Sequence, residues 1–251
     1  MKRMALLIIV LSLPVIAWSQ DQRGTIQYKE KVKLEFKIEG PMSEALQNMP
    51  KERISGKVLY FSPEASLYKK AEQENDNNEK EIMQSGKNIR ITMTEPDNRY
   101  FIDLNKKKTI EQREFMTRKF LISGDLPENN WKILGEQEEI LDYPCMEAIK
   151  TDTSGVITRV WFTPAINIPA GPSEYCNLPG MVLKVDIDNG KRIIEATNIN
   201  FDDPGDEVFE KPKKGKKVTK EEFDKIVAEK MEEMEAQGTT KGATVVIKIR
   251  K

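Results

Sequence analysis

Residues 181–199, MVLKVDIDNGKRIIEATNI, carry the clearest structural signal in the chain. Apolar and polar residues alternate before the triplet Asp188-Asn189-Gly190, and an apolar-rich run returns after it. A period of two is typical of a β-strand with one buried face, and Asp, Asn and Gly tolerate the positive φ angles of a tight turn. The stretch therefore predicts two antiparallel strands joined as a hairpin.

The same alternation extends through residues 26–38, where the polar side carries several lysines. Residues 72–80 contain no apolar residue and are expected to form a loop. Further strand-like runs are separated by turn-rich pieces, as in an antiparallel meander; they are residues 57–61, 67–70, 89–94, 100–104, 109–115, 119–122, 131–134, 138–141, 146–150 and 156–163.

One helix is predicted near the C-terminus. Thr219 and Glu222 have the spacing of a capping box, and Gly238 is placed to end the helix. The apolar residues between them follow helical spacing; they are Phe223, Ile226, Val227, Met231 and Met234. Residues 243–249 alternate again and predict a closing strand. The predicted fold is mainly β: a single curved antiparallel sheet, half-barrel-like, with one C-terminal helix packed on its concave side.

The N-terminus has the three parts of a secretory signal peptide. Lys2 and Arg3 precede an apolar run over residues 4–16, and small residues flank Trp18. The run is shorter than the roughly 20 residues of a transmembrane helix, and no cysteine is placed to carry a lipid anchor. We expect residues 1–19 to be removed and residues 20–251 to form one exported domain without a transmembrane segment. Its expected location is the periplasm, the outer membrane or the medium.

Charge and composition exclude several functions. Lys and Arg number 40 and Asp and Glu 41; without residues 1–19, 38 bases face 41 acids, a net charge of −3. This balance gives no electrostatic basis for nucleic-acid binding. The chain contains no histidine, which excludes Ser-His-Asp and Cys-His catalysis and most zinc and copper sites. We expect no metal and no cofactor, and only carboxylate chemistry stays open.

The loop IPAGPSEYCNLPG, residues 168–180, is rich in Pro and Gly and lies between two predicted strands. One interpretation is a rigid loop that binds a ligand or partner, because a stiff backbone loses little entropy on binding. The other is a stiff connection in which Gly171 and Gly180 adopt unusual dihedral angles. The loop lacks paired carboxylates and any nucleophile beside a base, so we do not expect catalysis there.

Cys145 and Cys176 are the two cysteines of the chain. In an exported protein oxidation is permitted, and a bridge between them would close a loop of about 32 residues, for which chain entropy predicts roughly 3 to 4 kcal/mol. Two separate buried thiols are the alternative, and we expect the disulfide.

The second half of the chain resembles the GLPGLI family of exported Bacteroidetes proteins. The residues that carry the resemblance are Trp131-Lys132-Ile133, Tyr143, Cys145, Ala148, Trp161, Thr163, Ile168-Pro169, Gly171-Pro172 and the run YCNLPGMVLKVDID from Tyr175. Asn177 stands where the motif has its first Gly, and Met181-Val182 replace Leu-Ile. The resemblance implies a β-rich exported protein and assigns no catalytic residue.

The expected binding residues belong to this motif. They are Trp161, Pro169, Gly171, Pro172, Tyr175, Asn177, Leu178, Pro179 and Gly180. The lysine-rich residues 211–220 are interpreted as a solvated loop, with contact to an anionic surface as the alternative. The acid pairs Asp202-Asp203 and Asp186 with Asp188 are interpreted as turn residues, although paired carboxylates also serve glycosidases and calcium sites.

These observations predict a non-catalytic cell-envelope protein that binds an apolar small molecule or an outer-membrane protein. The alternative is a periplasmic hydrolase that uses two carboxylates. A pocket that gathers Asp or Glu side chains roughly 5 to 10 Å apart would favour the hydrolase, and an apolar concavity would favour the binding protein.

Overall fold

The computed structural model describes residues 22–34, 51–72, 79–84, 87–92 and 95–238. Within them lie fourteen strands, a short 3-10 helix at Asp206–Phe209 and one α-helix, α1, at Lys220–Gly238. The strands are β1 (Gly24–Lys33), β2 (Glu52–Phe61), β3 (Ala65–Lys70), β4 (Glu79–Gln84), β5 (Lys87–Thr92), β6 (Arg99–Asp103), β7 (Lys108–Phe115), β8 (Arg118–Asp125), β9 (Lys132–Ile140), β10 (Tyr143–Thr151), β11 (Ile157–Thr163), β12 (Met181–Ile187), β13 (Arg192–Asn200) and β14 (Lys216–Val218).

Twelve of the described strands form one sheet in the order β14-β8-β7-β6-β3-β2-β1-β13-β12-β11-β10-β9, which does not close into a barrel. Neighbouring strands are antiparallel except for β14, which pairs with β8 in parallel. β4 and β5 form a separate two-stranded ladder. The predicted fold class, a mainly β protein with one C-terminal helix, is confirmed.

The hairpin predicted at residues 181–199 is formed by β12 and β13, which pair antiparallel. Its turn places Asp188, Asn189 and Gly190 at φ 54°, 51° and 82°, the left-handed region that Asp, Asn and Gly tolerate best. The hairpin then joins β1, which pairs with β13 on one side and β2 on the other. Local turn chemistry therefore fixes the register at the centre of the sheet.

The sheet curves around one of its faces. The charges of Arg113 on β7 and Arg192 on β13 both act on the carboxylate of Glu174, yet four strands lie between β7 and β13. In a flat sheet five interstrand steps would separate these strands by roughly 24 Å. The two charges act on one carboxylate because the sheet bends toward the strap side, so the face that carries them is concave.

The loop of residues 168–180, here called the strap, belongs to the main core. Its buried side chains pack with those of β1, β2 and β10–β13 in one cluster; the strap members are Ile168, Ala170, Tyr175, Cys176 and Leu178. The Tyr28 hydroxyl on β1 donates to the Val182 carbonyl oxygen at 2.7 Å, directly after the strap. Trp131 and Asn129 donate to the Cys176 carbonyl oxygen at 3.1 Å each, which anchors the strap from another loop.

The helix α1 begins with the predicted capping box. The backbone N–H of Glu222 donates to Thr219 Oγ1 at 3.1 Å, and that of Thr219 donates to Glu222 Oε2 at 2.9 Å. Phe223 is buried against the ring of Phe120 on β8 at 5.3 Å. Because Phe120 is the register partner of Arg113, α1 packs on the concave face, as predicted.

Several elements differ from the prediction. The two runs predicted at 131–134 and 138–141 form the single strand β9. Glu79 and Lys80 were assigned to a loop but begin β4, because a partner strand supplies the ladder. The lysine-rich run contains β14. The signal peptide at 1–19, residues 35–38 of the run 26–38 and the closing strand at 243–249 lie outside the described residues. No helix among those described is both long and apolar enough to cross a membrane.

Candidate functional site

The nine residues predicted to bind a ligand do not form one exposed site. Tyr175 and Leu178 are buried in the core, whereas Asn177 and Pro179 are exposed. Inside the strap, the Asn177 N–H donates to the Pro169 carbonyl oxygen and the Tyr175 N–H to that of Pro172, each at 3.1 Å. These contacts stabilise the loop itself.

At two positions of the strap, neighbouring atoms approach the backbone so closely that only glycine fits. Gly180 has φ 145°, and a Cβ there would collide with the Thr163 carbonyl oxygen. A Cβ on Gly171 would collide with the Tyr175 carbonyl oxygen and with Val182. Of the two glycines predicted to have unusual dihedral angles, Gly180 has one and Gly171 does not; Gly171 is required by close packing alone.

Trp161 lies on β11, outside the strap. Its register partners are Glu147 on β10 and Lys184 on β12, and the Lys184 ammonium lies 4.4 Å from the ring centroid. In the part of the chain that the structure describes, no hydrogen bond or ring contact joins Trp161 to the strap, so the predicted set is divided.

Cys145 and Cys176 are separate, buried thiols in the structure, and the predicted disulfide is absent. Each Sγ contacts a carbonyl oxygen two residues earlier in the chain: Cys145 that of Tyr143 at 3.4 Å, and Cys176 that of Glu174 at 3.6 Å. Burial raises the pKa of Cys145 to about 11 and that of Cys176 to about 12. Each thiol is thus held by its own local backbone.

The paired acids have structural partners. Asp186 Oδ1 accepts the Gly190 N–H in the β12–β13 turn, and Asp203 pairs with Arg23 at 3.0 Å. Across the described ranges, no three His, Cys, Asp or Glu side chains form a group that could hold a metal ion. These acids therefore serve turns and surface contacts.

The concave face carries a cluster of charged residues that we call the charged hollow. Its members come from β1, β7, β13 and the strap; they are Glu30, Glu111, Arg113, Glu174 and Arg192. Glu174 is half-buried and lies where the strap faces the sheet. Burial acts to raise its pKa, but a hydrogen bond from Ser173 and the charges of Arg113 and Arg192 outweigh burial and hold the pKa of Glu174 at about 2.

The β1 side of the charged hollow is an ion-pair network. Arg192 Nε donates to Glu30 Oε1 at 2.7 Å, and Lys57 Nζ lies 3.6 Å from Glu30 Oε2. Lys57 also pairs with Glu95. Burial opposes ionisation of Glu30, but the charges of Arg192 and Lys57 lower its pKa. Glu30 is therefore a fixed anion inside the protein.

On the β7 side of the charged hollow, the pKa of the carboxyl group is raised and not lowered. Glu111 pairs with Arg113, yet burial and the negative charge of Glu174 raise the pKa of Glu111. Glu111 and Glu174 thus experience environments that push their pKa values apart. A split of this kind occurs in general acid–base sites and also in structural ion-pair networks.

Three hydroxyl groups on the concave face have no hydrogen-bond partner among the described residues. Ser55, Ser66 and Tyr68 are 4%, 1% and 6% exposed, and their oxygen atoms are buried without a partner. Ser55 faces Glu30 across β1 and β2, and Tyr68 lies beside Tyr100 across β3 and β6. Buried hydroxyls are nearly always hydrogen-bonded, so a buried water molecule is the partner that these three can take.

Sequence reasoning missed the charged hollow although one signal was present. Glu30 occupies a buried position in the alternation of β1, between Tyr28 and Val32. Lys57 interrupts the buried side of β2 in the same way. A charge on the apolar side of a strand predicts a buried partner, because an isolated buried charge is too costly.

The architecture described above is that of an open, curved β-sheet with a charged concave face. A family model for the N-terminal domain of N-glycanase peptide matches residues 72–227, more than half of the chain. The chain belongs to this family of N-glycanase N-terminal domains.

Solved structures agree with this assignment at the level of the fold. Two crystal structures of PNGF-II, in space groups P21 and C2, are 18% and 17% identical to the chain, with TM-scores of 0.54 and 0.55. Each match covers 82% of this chain and 33% of PNGF-II, so the chain spans about a third of that protein. No curated protein matches the chain.

Two expectations from the sequence are corrected by these comparisons. The GLPGLI resemblance is wrong as a family assignment, because the matching model and the similar structures are those of PNGase F-II. The expectation that the chain is not an enzyme is contradicted by membership of an N-glycanase family. Short motifs that contain Pro and Gly specify the backbone geometry of a loop such as the strap. Proteins of different families can share that geometry.

Proposed function

We propose that the chain acts in N-glycan removal, as a domain of an N-glycanase-type enzyme that holds the carbohydrate of a glycoprotein in the charged hollow. The observation that carries the proposal is the family match over residues 72–227. This range contains Glu111, Arg113, Glu174 and Arg192, so most of the charged hollow lies inside the matched region.

The chemistry of the charged hollow suits carbohydrate. Sugar hydroxyls both donate and accept hydrogen bonds, so they pair with carboxylates, guanidinium groups and hydroxyls. The charged hollow offers carboxylates and guanidinium groups, of which Arg113, Glu174 and Arg192 are only half-buried. Its polar lining favours this ligand over the apolar small molecule expected from the sequence.

The clearest test uses a half-buried charge of the charged hollow. Arg113→Gln removes a guanidinium group that a sugar hydroxyl or carbonyl can reach. Binding of an N-glycan, followed by calorimetry, should weaken about tenfold or more, and circular dichroism checks that the variant is folded. Glu195→Gln, on the exposed side of β13, is the control. Unchanged glycan affinity in folded Arg113→Gln would contradict the proposal.

The split between Glu111 and Glu174 favours a second function, hydrolysis within the charged hollow itself. A carboxyl group with a raised pKa beside a carboxylate with a lowered pKa is suited to general acid–base catalysis. The purified chain would then release glycan from a glycopeptide, with a rate that depends on Glu111 protonation. Glu111→Gln should abolish that release while glycan binding persists. If wild-type protein binds glycan but releases none, carbohydrate binding is the function of the hollow.

Export belongs to the same proposal, because glycoproteins are encountered outside the cytoplasm. Residues 1–19 support it through their composition. Expression of the full chain followed by cell fractionation and N-terminal sequencing tests it: export requires a mature terminus near residue 20 outside the cytoplasm, and full-length protein in the cytoplasm would contradict it.

A further inference from the structure

A second cleft lies at the edge of the sheet, away from the strap. It has a volume of about 450 Å³ and is bounded by β8, β14 and α1. The residues that line it are Arg118, Lys119, Phe120, Lys216 and Ile226. This volume is within the usual range of roughly 300–1,000 Å³ for small-molecule sites. We call it the edge cleft.

The edge cleft is strongly cationic. Lys119 pairs with Asp97 at 2.7 Å, whereas Arg118 and Lys216 have no ion-pair partner among the described residues. The nearby acids of α1 are already engaged: Glu222 accepts the Thr219 N–H, and Glu229 lies 3.8 Å from Lys225. Two cations of the cleft lining therefore remain available to a ligand.

The floor of the edge cleft is apolar. Phe120 is buried beneath α1, and Ile226 projects from the helix beside it. Phe120 and Lys216 are register partners across the parallel β14–β8 pair, so an apolar surface and a cation lie side by side. A ligand that fills the cleft must have an apolar face and an anionic group.

We propose that the edge cleft binds an acidic sugar, whose carboxylate contacts Arg118 and Lys216 and whose C–H face packs on Phe120 and Ile226. This inference rests on the proposed function, since the acidic sugar would belong to the same glycan. Guanidinium–carboxylate hydrogen bonds are among the stronger polar contacts. Their loss should therefore weaken binding of the acidic sugar by a measurable amount.

The test compares two N-glycans that differ only by terminal sialic acid, titrated into the full chain. The sialylated glycan should bind about tenfold more tightly, and raised salt should reduce the difference because it screens exposed charges. The double variant R118Q/K216Q should lose this preference. Lys214→Gln, an exposed lysine of the same segment that does not line the cleft, is the matched control and should keep it.

The outcomes separate the two proposals. Equal affinity for both glycans in the wild-type chain, or a preference that survives in R118Q/K216Q, overturns the edge cleft and leaves glycan binding in the charged hollow intact. Absence of binding by either glycan overturns both. Inorganic phosphate is the third probe: if it binds as tightly as the sialylated glycan and displaces it, the cleft is a general anion site and the acidic-sugar assignment is wrong.

Discussion

Glu30 on β1 and Arg192 on β13 form a buried ion pair, with Arg192 Nε 2.7 Å from Glu30 Oε1. The two residues are 162 positions apart in sequence, so the pair joins distant parts of the chain. Removal of Glu30 takes the hydrogen-bonded anion from Arg192 and leaves Lys57 with Glu95 alone, which is destabilising because buried charges need partners. This relationship gives the first prediction.

Glu30→Gln should lower the free energy of unfolding by about 3 kcal/mol, because Arg192 and Lys57 lose their shared anion. Chemical denaturation measures the loss. Asp125→Asn, which removes one partner of the exposed Lys108–Asp125 pair, is the control and should cost about 0 to 1 kcal/mol. Equal effects of the two substitutions would show that the buried pair contributes nothing beyond a surface pair.

The dependence of stability on pH should differ between Glu174 and Glu111. The pKa of Glu174 is about 2, below its value of about 4.3 in an unfolded chain. Its contribution is therefore present above about pH 5 and is lost as the pH falls toward 2. Denaturation midpoints between these pH values should fall less steeply in Glu174→Gln than in the wild-type protein.

The contribution of Glu111 to the pH dependence of stability has the opposite sign. Its raised pKa means that the folded state binds the proton more tightly than the unfolded state, so stability is lost as the pH rises through the folded pKa. Glu111→Gln should remove this loss and flatten the stability curve on the upper side of the unfolded pKa. An unchanged curve in the variant would refute the raised pKa.

The backbone of the strap should not tolerate a side chain at Gly180. Gly180→Ala adds a Cβ that collides with the Thr163 carbonyl oxygen at φ 145°, and strain of this kind costs on the order of 1–3 kcal/mol. Thermal unfolding should show the loss. Gly135→Ala in β9, where a Cβ meets nothing within 4 Å, should be neutral or slightly stabilising.

Both cysteines should be protected in the folded protein. Since burial raises the pKa of Cys145 and Cys176 to about 11 and 12, neither should react with a thiol reagent at about pH 8. In denaturant two thiols should react without prior reduction. If none reacts until a reductant is added, the disulfide expected from the sequence exists.

The attachment of α1 to the sheet should depend on Phe223. Its ring packs edge-on against Phe120 at 5.3 Å and Phe115 at 6.4 Å, and Phe223→Ala should cost about 3–5 kcal/mol. Faster hydrogen exchange in Lys220–Gly238 would locate the effect. Phe201→Ala, at a ring that is 44% exposed, should cost only about 1 kcal/mol. Comparable losses would show that α1 does not depend on this contact.

The elements that sequence reasoning predicted are those determined by neighbours along the chain. The β12–β13 hairpin follows from alternation around Asp188-Asn189-Gly190, and the start of α1 follows from Thr219 and Glu222. The predicted binding residues are divided between the strap and β11 because a motif specifies backbone geometry more directly than exposure. The disulfide was predicted from compartment and cysteine count, which do not determine where two thiols point.

The strand periodicity, the hairpin turn, the helix cap and the absence of imidazole chemistry follow from the sequence alone. Each of these depends on interactions between residues close in sequence or on composition. The charged hollow exists only in the folded chain, because curvature of the sheet brings the charges of Arg113 and Arg192 near the carboxylate of Glu174. A charged residue on the buried side of a strand, such as Glu30, can be interpreted only when the tertiary structure shows its ion-pair partner.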